Sequence, residues 1–197
     1  MGAGARILLA ALCAFGVAST ASAQTTAYAP GQGSPNSVQL TIPVTASVRA
    51  ACGFATAPSG THNEPNFDDH AWQHDFGFTI DCSVASRIAV VSSNGALQTP
   101  GVAPAGYTTM APYNVTLNVV QNSGTATGTC AVANLISGGS CSFVGPASPT
   151  QGLAVAVSQN QPGSYLRVSA PAYTGPDTLI ASTAYADTLV VTLSPAT

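Results

Sequence analysis

The sequence predicts an all-β protein, an antiparallel β-sandwich of roughly seven to ten short strands. Apolar and polar residues alternate with a period of two in many separate stretches, as they do in strands that bury one face. Segments rich in Gly, Pro, Asn and Ser separate these stretches, and such segments form turns. No helical period follows residue 23, so we expect strands throughout the domain.

Residues 1–23 are predicted to be a signal peptide rather than part of the fold. Arg6 precedes the apolar run Ile7–Val17, and Ala21-Ser22-Ala23 has the small residues of a cleavage site. The run is shorter than the stretch of about 20 residues that crosses a bilayer, so we expect no membrane anchor. The chain is therefore predicted to be exported.

Residues 24–36 differ in composition from the remainder of the chain. Pro30, Gly31, Gly33 and Pro35 interrupt this segment, and its residues do not alternate in polarity. Such composition is typical of an exposed, flexible linker. We expect a flexible N-terminal arm at 24–36 and a single sandwich domain at 37–197.

The first two strands of that domain each end on a cysteine. In the run Val38–Cys52 every second residue is apolar, beginning with Val38, and Phe76–Cys82 alternates in the same way. Further strands are expected at Arg87–Ser92, Tyr113–Val120, Thr129–Val132, Cys141–Val144, Leu153–Val157, Tyr165–Ser169 and Tyr185–Leu193.

The last of these strands raises the question of its partner. Leu189, Val191 and Leu193 share one face of the strand, as they would when packed on a core. Only four residues follow, and Pro195 among them cannot donate to a ladder. The sequence therefore stops where the sheet would accept one more strand.

Four cysteines remain after the signal peptide, and an exported chain is expected to pair them in two disulfides. Three pairings are formally possible. Proximity along the chain favours Cys52 with Cys82 and Cys130 with Cys141. Cys52 and Cys82 also fall in phase with the buried faces of their strands, which would let their thiols meet. The spacing lacks the CxxC pairs of a zinc site.

The charge of the chain excludes a nucleic-acid partner. After the signal peptide only Arg49, Arg87 and Arg167 are basic, against seven acidic residues, for a formal charge of −4. Binding a phosphate backbone requires several clustered cations. We expect no catalytic residues either, because no Gly-x-Ser-x-Gly motif occurs and no serine is linked by spacing to a histidine and an acid.

Several stretches follow one another in a particular order: "LTIPVTASVRAACGF", "FGFTIDCS", "IAVVSSNGAL" with "PYNVTLNV", and the closing "AYADTLVVTL". Together they resemble the spore coat protein U domain family, which includes the pilins of archaic, Csu-type chaperone-usher pili. The resemblance spans most of Leu40–Leu193. The region Gln121–Thr150, with its own cysteine pair, is longer than the connection usual in that family.

The resemblance implies an immunoglobulin-like sandwich that lacks its last strand. Leu189, Val191 and Leu193 would then line an acceptor groove. A periplasmic chaperone would fill the groove first, and at the outer-membrane usher the N-terminal arm of another pilus subunit would replace it by β-augmentation. The implied function is a cell-surface pilus subunit, without cofactor or catalytic activity, in adhesion and biofilm formation.

The position of the donor strand stays open at this point. Val38, Leu40 and Ile42 could form it, with Pro43 as the break before the domain's own first strand. Alternatively Val38–Cys52 is all first strand, and the arm at 24–36 is a poor donor. Pro43 has no backbone N–H to donate to a ladder, and this break in the run favours the first arrangement.

Two further hypotheses concern residues outside the groove. The segment 62–75 holds every histidine and most of the acids, so it is either a metal site, with His70 and His74 on one face of a helix, or a solvated loop before the Phe76 strand. The rival function is a self-contained extracellular carbohydrate-binding sandwich. It would contact its ligand through the Trp72 loop or the hairpin between Cys130 and Cys141.

Overall fold

Thirteen strands and one short 3-10 helix form in the part of the chain that the structure describes. The structure is a computed structural model, and it describes residues 43–47, 49–182 and 184–196. Contacts divide the chain into Met1–Thr45 and a unit at Ala46–Thr197, and all the strands of the described residues belong to the second unit. The predicted signal peptide, the arm and the donor residues Val38, Leu40 and Ile42 lie outside the described residues.

The elements follow one another along the second unit with short connections. They are β1 (Cys52–Thr56), β2 (Trp72–Cys82), β3 (Ser86–Ser92), β4 (Leu97–Gln98), β5 (Tyr107–Thr108), β6 (Met110–Ala111), β7 (Asn114–Gln121), β8 (Gly124–Ala131), the 3-10 helix (Val132–Leu135), β9 (Leu153–Val155), β10 (Ser158–Gln159), β11 (Ser164–Ala170), β12 (Thr178–Leu179) and β13 (Leu189–Pro195).

Two main sheets organise these strands. The large sheet has the order β1-β2-β11-β7-β8, with β10 also paired to β2, and the small sheet has the order β13-β3-β9. All pairs in both sheets are antiparallel. Two ribbons, β4-β6 and the parallel pair β12-β5, lie beside them. The predicted all-β, antiparallel sandwich is confirmed.

The core collects the inward faces of both sheets. Ile80, Val115 and Leu117 of the large sheet are fully buried, as are Ile88 and Val90 of the small sheet. This burial follows the period-two pattern, because every second residue of β2, β3 and β7 points inward. Removing that apolar surface from water is the main stabilising term of the fold.

Both predicted disulfides are confirmed. Cys52 lies directly opposite Cys82 in the β1–β2 ladder and is bonded to it, so the bridge joins the outermost strand to its neighbour. Cys130, near the end of β8, is bonded to Cys141. Between them the chain turns at Ser137–Gly138, and a side chain at the next residue, Gly139, would collide with the Asn134 carbonyl oxygen.

The first strand begins later than the sequence predicts. Residues 44–51 were expected to belong to it, but those that the structure describes are not in a strand, and β1 starts at Cys52. The reason is the length of the partner, since β2 ends at Cys82, which lies opposite Cys52. Just past the end of β2 the Ser83 N–H still donates to the Ala51 carbonyl at 2.9 Å, and the described residues before Ala51 have no β2 residue to pair with.

The expected strand at Cys141–Val144 is also wrong. Val144 forms a single parallel bridge to Val90, and the residues on either side of it turn. Phe143 explains the apolar pattern, because its side chain is fully buried in the core. Conversely, β8 begins at Gly124, five residues before the expected strand at Thr129. Its inward residues Ala126 and Gly128 are too small to give the usual apolar alternation.

No helix in the described residues has the length and apolar character needed to cross a membrane.

Candidate functional site

The last strand, β13, is paired on one side only. Its seven residues are in register with β3, from Leu189 opposite Ser92 to Pro195 opposite Ser86. No described residue pairs with its other side. The N–H and C=O groups of every second residue therefore point away from β3 in the plane of the sheet, where another strand could bond to them.

The neighbouring strand β3 has no such free edge. On the side away from β13 it pairs with β9. Beyond β9, Val90 bonds on that same side to the segment at Phe143–Gly145. The Val90 N–H donates to the Phe143 carbonyl at 2.9 Å, and the Gly145 N–H donates to the Val90 carbonyl at 3.0 Å. The small sheet can therefore grow beside β13 without disturbing β3.

The inward side chains of β13 are less buried than those of β3. Leu189, Val191 and Leu193 all pack against the core but remain only partly buried, whereas Ile88 and Val90 are completely buried. All five belong to the same sheet and face the same core. The difference lies at the side of β13 away from β3, where no described strand pairs with it.

An apolar cleft of about 420 Å³ opens at this edge. Leu189 and Val191 form the wall contributed by β13, and the large sheet contributes the opposite wall. That opposite wall consists of Trp72 and Phe76 of β2 and Leu166 and Val168 of β11. Two of the three residues expected to line a groove therefore line this cleft, and the third, Leu193, packs on the adjoining core.

The large sheet also has a free edge at the cleft. β2 pairs with β11 from Trp72 to Phe78, but β1 covers only Thr79–Cys82 on its other side. The edge of β2 from Trp72 to Phe78 thus has no partner among the described residues. The cleft lies between this edge and the free edge of β13.

A loop at 57–63 passes along the cleft without joining either sheet. Pro58, Ser59, Gly60, Thr61 and His62 line the cleft, and all except Pro58 are exposed. Within the described residues the loop makes no backbone hydrogen bond to β2 or β13. An incoming strand could displace it without breaking a ladder.

Asp187 connects several segments at one end of the cleft by accepting hydrogen bonds from them. Its Oδ2 atom accepts hydrogen bonds from the Ser92 hydroxyl at 2.6 Å and the Tyr113 hydroxyl at 2.7 Å. Its Oδ1 atom accepts from the backbone N–H groups of Asn94 at 3.0 Å and Thr188 at 2.7 Å. Burial, together with the bond to this carboxylate, raises the pKa of Tyr113. Asp187 therefore fixes the start of β13 relative to β3 and β7.

This role corrects the expected start of the last strand. A strand was predicted over Tyr185–Leu193, but it begins at Leu189. Ala186 instead forms an isolated bridge to Gln98, and Asp187 turns its side chain into the structure. Alternation along the chain gives no sign of this arrangement, because three partners of Asp187, namely Ser92, Asn94 and Tyr113, are 74 to 95 residues away in the sequence.

Replacing Asp187 with alanine should lower the free energy of unfolding by about 2 to 4 kcal/mol, because the hydroxyls of Ser92 and Tyr113 lose a charged acceptor in a partly buried site. Asp187→Asn should cost less, since its amide oxygen can still accept. Asp177→Ala, at an exposed position, serves as the control. Denaturant unfolding measures all three, and equal midpoints for D187A and D177A would contradict the assigned role.

The histidine-rich segment forms a polar cluster beside the cleft. Glu64 bonds to His62 and to His70 at 3.0 Å each, and the His62 ring stacks on His74 with centroids 4.1 Å apart. The bonds to His70 and His62 lower the pKa of Glu64. No set of three metal-binding side chains with suitable geometry occurs in the described residues. The helical arrangement considered for His70 and His74 is wrong, because β2 starts at Trp72 and carries His74.

The cleft combines apolar walls, two free strand edges and hydrogen-bonding groups at one end. These are the features that bind an extended peptide: main-chain groups pair along an edge, and alternate side chains enter the apolar space. Comparisons of this chain with protein-family models, with curated proteins and with solved structures find no match.

Proposed function

We propose that the chain is an exported pilus subunit, or a pilus-like surface protein, that completes its fold with a strand from another molecule. The observation that carries this proposal is the free edge of β13 beside the apolar cleft. A soluble protein normally protects an edge of this kind with charges, a bulge or a covering segment. Leu189 to Leu193 carries none of the charged side chains that would do so.

An inserted strand would act on both walls of the cleft. Its main chain would pair with β13 at the usual spacing of about 4.8 Å, and its alternate side chains would cover Leu189 and Val191. It would also give Trp72 a possible partner, because the indole N–H makes no hydrogen bond within the described residues. Strand addition would therefore bury apolar surface and satisfy main-chain groups together.

The sequence offers one donor with the required alternation. Val38, Leu40 and Ile42 share a phase, Gln39 and Thr41 occupy the other, and Pro43 ends the run. Three apolar side chains match the three on β13 in number. Burying each of them would contribute about 1.5 to 3 kcal/mol before the cost of ordering the arm.

The proposed partners follow from the order of assembly. Before assembly a periplasmic chaperone would cover the edge of β13, since an open apolar cleft promotes aggregation. At the outer-membrane usher the arm of another subunit would replace the chaperone. The signal peptide and the two disulfides fit a protein that passes through the periplasm to the cell surface.

A peptide of residues 37–47 tests the proposal directly. The acceptor is the full mature chain with Val38, Leu40 and Ile42 changed to serine, so that its own arm cannot compete. At a hundredfold excess over Kd the peptide should raise the Tm by about 5 to 10 °C. A peptide with serine at the same three positions is the control. No shift with the parent peptide would count against strand donation.

A matched pair of acceptor variants locates the binding edge. Val191 points into the cleft, whereas Val190 points away from it and is 52% exposed. Val191→Thr keeps the shape but adds a hydroxyl that the donor would bury, so peptide affinity should fall by about tenfold. Val190→Thr should leave it unchanged. Equal affinities would place the peptide elsewhere, and glycan-array binding without peptide binding would favour the carbohydrate-binding rival.

A further inference from the structure

We propose that β8 is a second assembly edge, where two copies of this chain pair antiparallel about a twofold axis at Thr127. β8 pairs with β7 over eight consecutive residue pairs without a shift in register. No described residue pairs with its other side. It therefore presents a long, regular edge at the opposite end of the large sheet from β1.

The hydrogen bonds of β7 establish which groups of β8 face outward. The Val120 N–H donates to the Ser164 hydroxyl at 2.9 Å, and the Val120 carbonyl accepts from Ser158 at 2.8 Å, both away from β8. At the other end of the hairpin the Val132 N–H donates to the Tyr113 carbonyl at 2.9 Å. In an antiparallel ladder, pairs whose main-chain groups bond to each other alternate with pairs whose groups point away from the partner strand. The N–H and C=O groups of Thr125, Thr127 and Thr129 therefore point to the free edge.

The sequence of that edge is complementary to itself. It reads Thr-Ala-Thr-Gly-Thr from Thr125 to Thr129, so it is nearly the same in both directions. An axis at Thr127 sets Thr127 opposite its counterpart in the partner and Thr125 opposite the partner's Thr129. Such an isologous contact closes with two copies. Cross-strand threonines stabilise a sheet, and Thr129 already bonds Thr116 of β7 through their hydroxyls at 2.8 Å.

Nothing in the local charge opposes this contact. The sequence from 88 to 166 contains no Asp, Glu, Lys, Arg or His, so two β8 edges meet without charge repulsion. The nearest charges on the outer face, Arg167 and Asp75, lie on β11 and β2 and form a double hydrogen bond of 2.6 and 2.8 Å. β8 also lacks the lysine, proline or bulge that usually protects an edge.

This second edge differs from the cleft in what it would build. Donation into the cleft is head-to-tail and extends a fibre, whereas the β8 pair is symmetric and stops at two copies. Each pair would join two large sheets into one continuous sheet. If the proposed pilus forms, which is a separate assumption, the β8 contact would hold neighbouring fibres side by side.

Cysteine cross-linking in the full mature chain tests the register. Across an antiparallel pair the Cα atoms of opposite residues are about 5.5 Å apart, so Thr127→Cys should give a covalent dimer with a short bismaleimide. The two Thr125 residues would be about 14 Å apart, as would the two Thr129 residues, so either variant alone should give none. A mixture of Thr125→Cys and Thr129→Cys should again give the dimer.

The control variant is Thr150→Cys, whose exposed side chain lies in a loop and reports random collision. A dimer from Thr127→Cys no stronger than that of Thr150→Cys would overturn the proposal. Thr127→Lys should also shift the sedimentation of the parent chain from dimer to monomer, and Thr150→Lys should not. Serine at Val38, Leu40 and Ile42 should leave the Thr127→Cys dimer intact, which separates this contact from strand donation.

Discussion

Serine at Val38, Leu40 and Ile42 should abolish the fibres that we propose this chain forms with a periplasmic chaperone and an outer-membrane usher. The three side chains would enter the cleft beside Leu189 and Val191. Their replacement removes about 5 to 9 kcal/mol of apolar burial and leaves the strand held by main-chain hydrogen bonds alone, at about 0.5 to 1.5 kcal/mol each. Electron microscopy of the cell surface, and immunoblots of sheared fibres without boiling, measure the loss.

The matched control changes the opposite phase of the same segment. Gln39→Ser and Thr41→Ser leave the three apolar side chains in place, so fibres should form normally. The donor variant should still be recovered in complex with the proposed chaperone, because its own acceptor edge is unchanged. Normal fibres from the triple-serine variant would show that this segment is not the donor.

Replacing Cys52 and Cys82 by alanine should lower the free energy of unfolding by about 3 to 4 kcal/mol. The bond closes a separation of 30 residues, so its loss gives the unfolded chain much additional freedom. It also attaches β1, an edge strand of five residues, to β2. The Cys130→Ala and Cys141→Ala pair closes a separation of only 11 residues and should cost less, about 2.7 kcal/mol.

Guanidinium unfolding of the triple-serine chain measures both disulfide variants without interference from strand donation. Because the Cys82 side chain is fully buried, serine there would add the cost of an unpaired hydroxyl, and alanine is the appropriate substitution. The contrary outcome is a Cys130/Cys141 variant that is the less stable of the two. That result would place the main constraint at the end of β8.

Much of the architecture could be predicted because the alternation of apolar residues is local. β3, β7 and β11 fall within one residue of the expected strands at each end. The cysteine pairing was also predictable, since phase placed Cys52 and Cys82 on facing sides of two strands. β8 was predicted only at its end, because Ala126 and Gly128 carry too little apolar surface to mark a strand.

The candidate site could be predicted only in part, because its walls come from distant parts of the chain. Leu189, Val191 and Leu193 were identified from their own alternation. The opposite wall was not, since Trp72 was expected in a loop and instead begins β2. Asp187 was also missed, as hydrogen bonds to Ser92 and Tyr113 leave no mark in the local sequence.

The sequence by itself determined that this chain is all β and which face of its last strand is apolar, and it favoured the cysteine pairing that the structure has. Only the tertiary structure decided which strands are neighbours and therefore which edges stay free. Alternation depends on residues two apart, and a single strand displays it whatever its surroundings. A free edge depends on which distant segment does or does not lie beside the strand, and that is a property of the whole fold.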